Sequence, residues 1–225
     1  MSEKLDARTK WSYCVGATGR DAAYALVSMY LILYVQYTMN LTSAQFAVIS
    51  GAMILCMVWD AVNDLLMGII IENTHFKMGK FKPWILIGCI TNAIVIVCLF
   101  TIRPSGWAFV GFYSLFYLLW GMTYTIMDIP YWSVIPNLTS DPQEREKVSV
   151  LPRIFASIGQ SLIIAGFGVQ IIKGLGGDYT GYHRFALIIA ATFIFTMAVC
   201  VINLPKIQHD VEKKDKMKFK DIFTV

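Results

Sequence analysis

Long stretches of this sequence carry no charged residue, and that feature restricts the fold more than any other. Residues 22–59, 104–127 and 185–205 contain no Asp, Glu, Lys or Arg. Crossing the hydrocarbon core of a bilayer takes about 20 consecutive, mostly apolar residues in a helix. Six such runs are present, near 11–37, 43–71, 83–102, 107–136, 148–173 and 182–204. The gaps between them carry turn chemistry: Asn40-Leu-Thr, Asn73-Thr-His, Arg103-Pro-Ser-Gly, Thr139-Ser-Asp-Pro and Gly174-Leu-Gly-Gly-Asp. The pattern predicts an all-α membrane protein with six spans.

Composition supports that reading. Charged residues make up 15% and hydrophobic residues 56%, where a soluble domain carries about 25% charged. A soluble enzyme and a disordered chain are both excluded. The net charge of +4 is too small and too scattered for a nucleic-acid partner. Cys14, Cys56, Cys89, Cys98 and Cys200 form no CxxC and sit in or beside apolar runs, which predicts buried thiols and no metal or disulfide framework. The first ten residues, polar and mixed in charge, do not resemble a cleaved signal peptide.

Basic residues orient the spans, because cytoplasmic loops concentrate Lys and Arg. The N-terminus holds Lys4, Arg8 and Lys10; the second loop holds Lys77, Lys80 and Lys82; the fourth holds Arg145 and Lys147; the tail holds six lysines. The opposite side holds only Arg103, Lys173 and Arg184. Both ends of the chain are therefore expected to be cytoplasmic. Residues 1–205 read as a transmembrane bundle, and 206–225 as a cytoplasmic linker or surface helix.

Ionisable groups inside the runs point to function, since each costs at least about 2.5–3.5 kcal/mol to insert at mid-membrane. They are Asp21, Asp60, Asp64, Asp128, Arg20 and Arg153. At a rise of 1.5 Å per residue, Asp21 lies roughly 15 Å into its span, and the others fall at depths compatible with one shared site. Asp60 and Asp64 are spaced i, i+4 and share a helix face, where two carboxylates repel unless a cation or a proton lies between them. Asn63 and Thr125 could add neutral oxygens. Asp128 and Trp132 are also i, i+4, with Pro130 between them to free a backbone carbonyl. A carboxylate beside an indole suits a sugar: the acid accepts hydroxyl hydrogen bonds and the ring covers the apolar sugar face. Four acids against two arginines leave a surplus of negative charge, which a bound monovalent cation offsets in part. Structural ion pairing is the plain alternative. Asp60 and Asp64 lie on one helix outside the Tyr-Asp and Gly-x-Gly-Asp contexts of a membrane aspartyl protease, which argues against that enzyme.

Five segments together resemble one family. They are Gly16-Ala-Thr-Gly-Arg-Asp21, Trp59-Asp-Ala-Val-Asn-Asp64, Gly79-Lys-Phe-Lys-Pro-Trp-Ile-Leu-Ile-Gly88, Trp120-Gly-Met-Thr-Tyr-Thr-Ile-Met-Asp-Ile-Pro-Tyr-Trp132 and Pro152-Arg-Ile-Phe-Ala-Ser157. In that order they resemble the glycoside–pentoside–hexuronide:cation symporter family of the major facilitator superfamily. The resemblance implies the N-terminal six-helix bundle of a twelve-helix fold, with a second six-helix half as partner. It implies a multi-pass protein of a bacterial cytoplasmic membrane, no enzyme, performing Na+-, Li+- or H+-coupled sugar symport without a further cofactor. It implies that Asp60 and Asp64 hold the cation with help from Asn63 and Thr125. Arg20, Asp21, Tyr124, Asp128, Trp132 and Arg153 match sugar contacts, and Gly79, Lys80 and Lys82 fall in a gating loop. Arg20, Met57 and Leu65 depart from residues found in a family member, where Lys, Arg and Pro stand. Other readings on the same scaffold are a lipid or lysolipid carrier and a sugar sensor that does not transport.

Overall fold

The computed structural model describes residues 5–74 and 76–207, so positions 208–225 of the expected linker lie outside the described residues. Among the described residues every regular element is helical. Helix α1 (Ala7–Ala25) runs through a π-helical segment (Leu26–Tyr30) into α2 (Leu31–Thr38), giving one unbroken rod. Then come α3 (Ser43–Asn73), α4 (Lys82–Thr101), α5 (Trp107–Ser133) with the short α6 (Ile135–Leu138), and α7 (Pro142–Ser157). A second π-helical segment (Ile158–Gly166) extends α7 and is followed by α8 (Gly168–Gly174) and α9 (Tyr179–Asn203).

The helix starts are written in local chemistry. Thr42 and Gln45 form a reciprocal capping box at α3, with Thr42 N–H donating to Gln45 Oε1 at 2.9 Å and Gln45 N–H to Thr42 Oγ1 at 3.3 Å. Pro83 sits in the first turn of α4, where its missing N–H costs nothing. Asp141 accepts from Gln143 N–H at 3.0 Å, which starts α7 at Pro142, upstream of the apolar run that begins at 148. Asp178 does the same for α9 through Thr180 N–H.

Among the described residues, five helices are long and apolar enough to cross a membrane: α3, α4, Trp107–Leu138, Pro142–Gly166 and α9. The first rod is as continuous, but Arg8, Lys10, Arg20 and Asp21 dilute the apolar character of α1.

Close packing of small residues joins the rods, as is usual where lipid competes for apolar surface. Helix α1 packs on α9, on α7 and on the second π segment; α4 packs between α5 and α9; α3 packs on α5. A Cβ at Gly16 would stand 2.9 Å from Cys200 Cβ, and one at Gly88 would stand 2.5 Å from Met127 N. Tyr13 and Tyr131 stack with ring centroids 4.3 Å apart, and each hydroxyl donates to the other's backbone carbonyl, at 2.7 and 2.6 Å. Asn92 of α4 donates to the Trp120 carbonyl and to Thr123 Oγ1, both at 2.9 Å.

The residues expected to gate lie in the α3–α4 loop and at the start of α4. Gly79 has φ +100°, a region that disfavours side chains, and a Cβ there would stand 2.8 Å from Ile207 O. Lys80 N–H donates to Ile207 O at 3.0 Å, and its ammonium pairs with Glu72 at 2.5 Å. Lys82 opens α4. The chain leaving α9 is thus tied to this loop.

Candidate functional site

An open cleft of about 520 Å³ lies between three rods and the second π segment. Its size falls within the range of small-molecule sites. From the first rod come Arg20, Asp21, Tyr24 and Ser28; from α3, Met53, Met57, Asp60 and Asp64; from the π segment, Gln160. Helix α5 supplies Tyr117, Trp120, Gly121, Tyr124, Thr125 and Asp128. The α5 set follows i, i+3, i+4, i+7, i+8, i+11, a single helix face, and the α3 set follows i, i+4, i+7, i+11.

Charge organises one end of the cleft. Arg20 Nη1 donates to Asp128 Oδ1 at 2.7 Å, while Nη2 and Nε reach Asp21 Oδ1 at 2.8 and 3.1 Å. The Arg20 side chain is only 6% exposed. Its guanidinium lies 5.0 Å from the Tyr131 ring centroid and 4.6 Å from that of Trp132. Tyr124 OH is 3.5 Å from Asp21 Oδ1. A guanidinium stays charged and presents a planar fork of donors, so one cation bridges two acids and leaves the cluster one negative charge in surplus.

The carboxylate pair occupies the α3 wall. Asp64 Oδ1 accepts from Thr125 Oγ1 at 3.1 Å. Asp60 Oδ1 is buried with no hydrogen-bond partner among the described residues, and the bare backbone of Gly121 faces it: a Cβ at Gly121 would stand 2.6 Å away. A buried carboxylate oxygen without a donor calls for a cation or a proton. The donor set fits a hard monovalent ion: two carboxylates one turn apart and a threonine hydroxyl beside them.

The structure therefore brings Arg20, Asp21, Asp60, Asp64, Tyr124, Thr125 and Asp128 into one cleft. It leaves three other residues expected to contact cation or sugar off the cleft wall. Asn63 is buried, its amide nitrogen unpartnered among the described residues. Trp132 lies against Arg20, and Arg153 is exposed, with its guanidinium carbon 5.9 Å from the Trp132 ring centroid. Gly79 and Lys80 lie in the α3–α4 loop and Lys82 at the start of α4, away from the cleft. Tyr24, Ser28, Tyr117, Trp120 and Gln160 line the wall although the sequence reading did not single them out. The first four were detectable: extending the faces of Asp21 and Tyr124 by whole turns reaches them.

Comparison with known proteins gives a consistent picture. The profile of the family described as MFS/sugar transport protein matches residues 12–224. The chain is 30% identical to a lactose permease of Lactobacillus delbrueckii subsp. bulgaricus, over 100% of this chain and 38% of that protein. It is 26% identical to the isoprimeverose transporter of Lactiplantibacillus pentosus, over 94% of this chain and 44% of that one. It is 27% identical to a putative glycoside/cation symporter of Escherichia coli, over 88% of this chain and 43% of that one. The chain thus spans less than half the length of these relatives.

Proposed function

The chain belongs to the MFS/sugar transport protein family, and from that premise we propose that it is one half of a cation-coupled glycoside symporter, supplying the cation site and half of the sugar site. It is an integral, multi-pass membrane protein. Its setting in this reading is a bacterial cytoplasmic membrane, with both ends of the chain cytoplasmic and a second six-helix half completing the transporter. The relatives named as lactose, raffinose and isoprimeverose carriers and as a glycoside/cation symporter favour a sugar substrate and a coupling cation. The single observation that carries the reading is the shared cleft: a carboxylate pair on α3 and an Arg20-centred ion cluster open into the same space.

In this mechanism a monovalent cation, Na+, Li+ or H+, enters between Asp60 and Asp64 and removes their repulsion. Asp64 is joined to α5 through Thr125. Thr125 and Asp128 are i, i+3 on that helix, so a shift of Thr125 is felt at Asp128 within one turn. Sugar hydroxyls then donate to Asp21 and Asp128 and accept from Arg20, while Tyr24, Trp120 and Tyr124 cover apolar ring faces. Tyr24 lies 5.1 Å from Tyr124 and 5.5 Å from Trp120, centroid to centroid, so the aromatic surface is continuous. Trp132 packs on the Arg20 guanidinium, and Arg153 approaches the same indole ring. Cation and sugar each tighten the other's binding, because linkage between two sites is reciprocal. Membrane lipid covers the outward faces of the rods.

The test is binding of lactose, raffinose and isoprimeverose to the complete transporter in Na+, Li+ and choline media across pH. The expected result is binding that rises with one cation, a rise abolished by Asp64→Cys, and no sugar binding in Asp128→Cys. Equal sugar affinity with and without every cation would refute the coupling. Failure to bind any sugar would refute the substrate class and turn attention to lipid or sensor roles.

A further inference from the structure

Gln160 is a polar cleft residue that neither the ion cluster nor the cation pair uses, and it stands on unusual backbone. The nine residues Ile158–Gly166 are π-helical. Segments with i→i+5 bonding are rare and occur often at functional sites. Gln160 is partly buried and lines the cleft, and its side-chain amide makes no hydrogen bond to another described residue. A primary amide carries two donors and an acceptor oxygen, so it enters the cleft with all of them available.

The backbone beneath it is held on both sides. Below, Thr18 Oγ1 donates to Phe155 O at 3.1 Å. The adjacent Gly159 lies directly on the first rod, where a Cβ would collide with the Thr18 carbonyl and stand 3.2 Å from Ala22 N. Above, Tyr30 OH donates to Ile164 O at 3.0 Å, which joins the second π segment to the first. These contacts set Gln160 at the level of the Asp21 and Tyr24 turns of the first rod. Arg153 lies seven residues earlier, roughly 10 Å back along the helix at 1.5 Å per residue. That distance explains why Arg153 reaches Trp132 and not the cleft.

We propose that Gln160 is a specificity-determining residue of the sugar site, reading one ring hydroxyl of the bound glycoside from the second π segment. This inference rests on the glycoside reading and assigns it a further contact. A hydroxyl donates and accepts at once, and so does an amide, so the pair is matched without added charge. The charged groups of the cleft supply affinity; a neutral amide with a fixed backbone supplies discrimination, because a ligand lacking the matching hydroxyl leaves it unpaired. An acyl chain in this place would strand the amide against apolar surface.

The test uses the complete transporter, whichever of lactose, raffinose and isoprimeverose saturates uptake, and the monodeoxy analogues of that sugar. Gln160→Leu keeps the side chain's size and removes its polarity. For the unsubstituted transporter one monodeoxy analogue is expected to bind about 3- to 10-fold more weakly than the parent sugar, the worth of one neutral hydrogen bond. In Gln160→Leu the parent sugar weakens by the same factor, that analogue binds unchanged, and the ratio of affinities with and without cation is preserved. If Gln160→Leu does not insert into the membrane, Gln160→Asn and Gln160→Glu carry the same comparison, each expected to change the ranking of that analogue alone. A uniform loss across the parent and every analogue, or a fall in maximal rate with all affinities intact, would overturn the proposal and assign Gln160 to packing. Uptake of none of the three sugars overturns the glycoside reading instead, a separate outcome.

Discussion

Replacing Arg20 by Leu should destabilise the bundle more than any other change in the cleft. The arginine is the only cation in contact with Asp21 and Asp128 among the described residues. Its side chain is 6% exposed, and those of Asp21 and Asp128 are 15% and 29% exposed. Removing one partner of a buried ion pair costs about 3–5 kcal/mol, because a desolvated charge is left behind. Here two carboxylates are stranded, but Asp128 retains partial access to the cleft, which puts the expected loss near the lower bound, about 3 kcal/mol. For a chain of 150–250 residues each kcal/mol moves the midpoint by about 2–4 °C, so the shift is roughly 6–12 °C. Thermal unfolding in detergent, followed by tryptophan fluorescence, measures it. A second variant separates lost charge pairing from lost packing. Arg20→Leu combined with Asp128→Asn restores the original charge surplus of the cluster and should recover at least half of the lost stability, a coupling that independent sites do not show. A single variant within about 1 kcal/mol of the parent, or a double variant less stable than the single, refutes the view that Arg20 is held chiefly as a counter-ion.

Two further outcomes follow from backbone contacts. Gly79→Ala places a side chain at φ +100° and against Ile207 O; a loss of about 1–3 kcal/mol is expected, and proteolysis in the segment after α9 should accelerate relative to the parent. Tyr131→Phe leaves the Tyr13 carbonyl without its hydroxyl donor; a cost of about 1–3 kcal/mol in thermal unfolding is expected, with cation response unchanged.

Apolar length alone locates the helices that sit in long uncharged runs. It fails at the start of α7, where Pro142-Gln-Glu-Arg-Glu-Lys is polar and the helix begins because Asp141 caps it. The π segments leave no mark in composition, because their ladder differs from α only in which carbonyl each N–H finds. The cleft was legible where charge and period coincide: Asp60 and Asp64 share a face, and so do Tyr124, Thr125 and Asp128. Asn63 stands off the cleft wall, because a residue adjacent to Asp64 points about 100° away, and it is buried. Arg153 stands off the cleft wall, because matching a motif says nothing of depth along the axis. Gln160 was invisible to both arguments, since a lone amide in an apolar run has no partner at helical spacing.

The packing of α3 has a mechanical consequence. Within this chain α3 packs chiefly on α5, and most of its surface is exposed. The first rod, by contrast, is gripped along its length by α9, α7 and the second π segment. The cleft therefore has a stiff wall bearing Arg20, Asp21 and Gln160, and a compliant wall bearing Asp60 and Asp64. Elements with few buried contacts open at the lowest free energy. In the symporter proposed above, an ion taken up on the compliant wall moves α3 and, through Thr125, α5, while the first rod stays still and serves as the fulcrum.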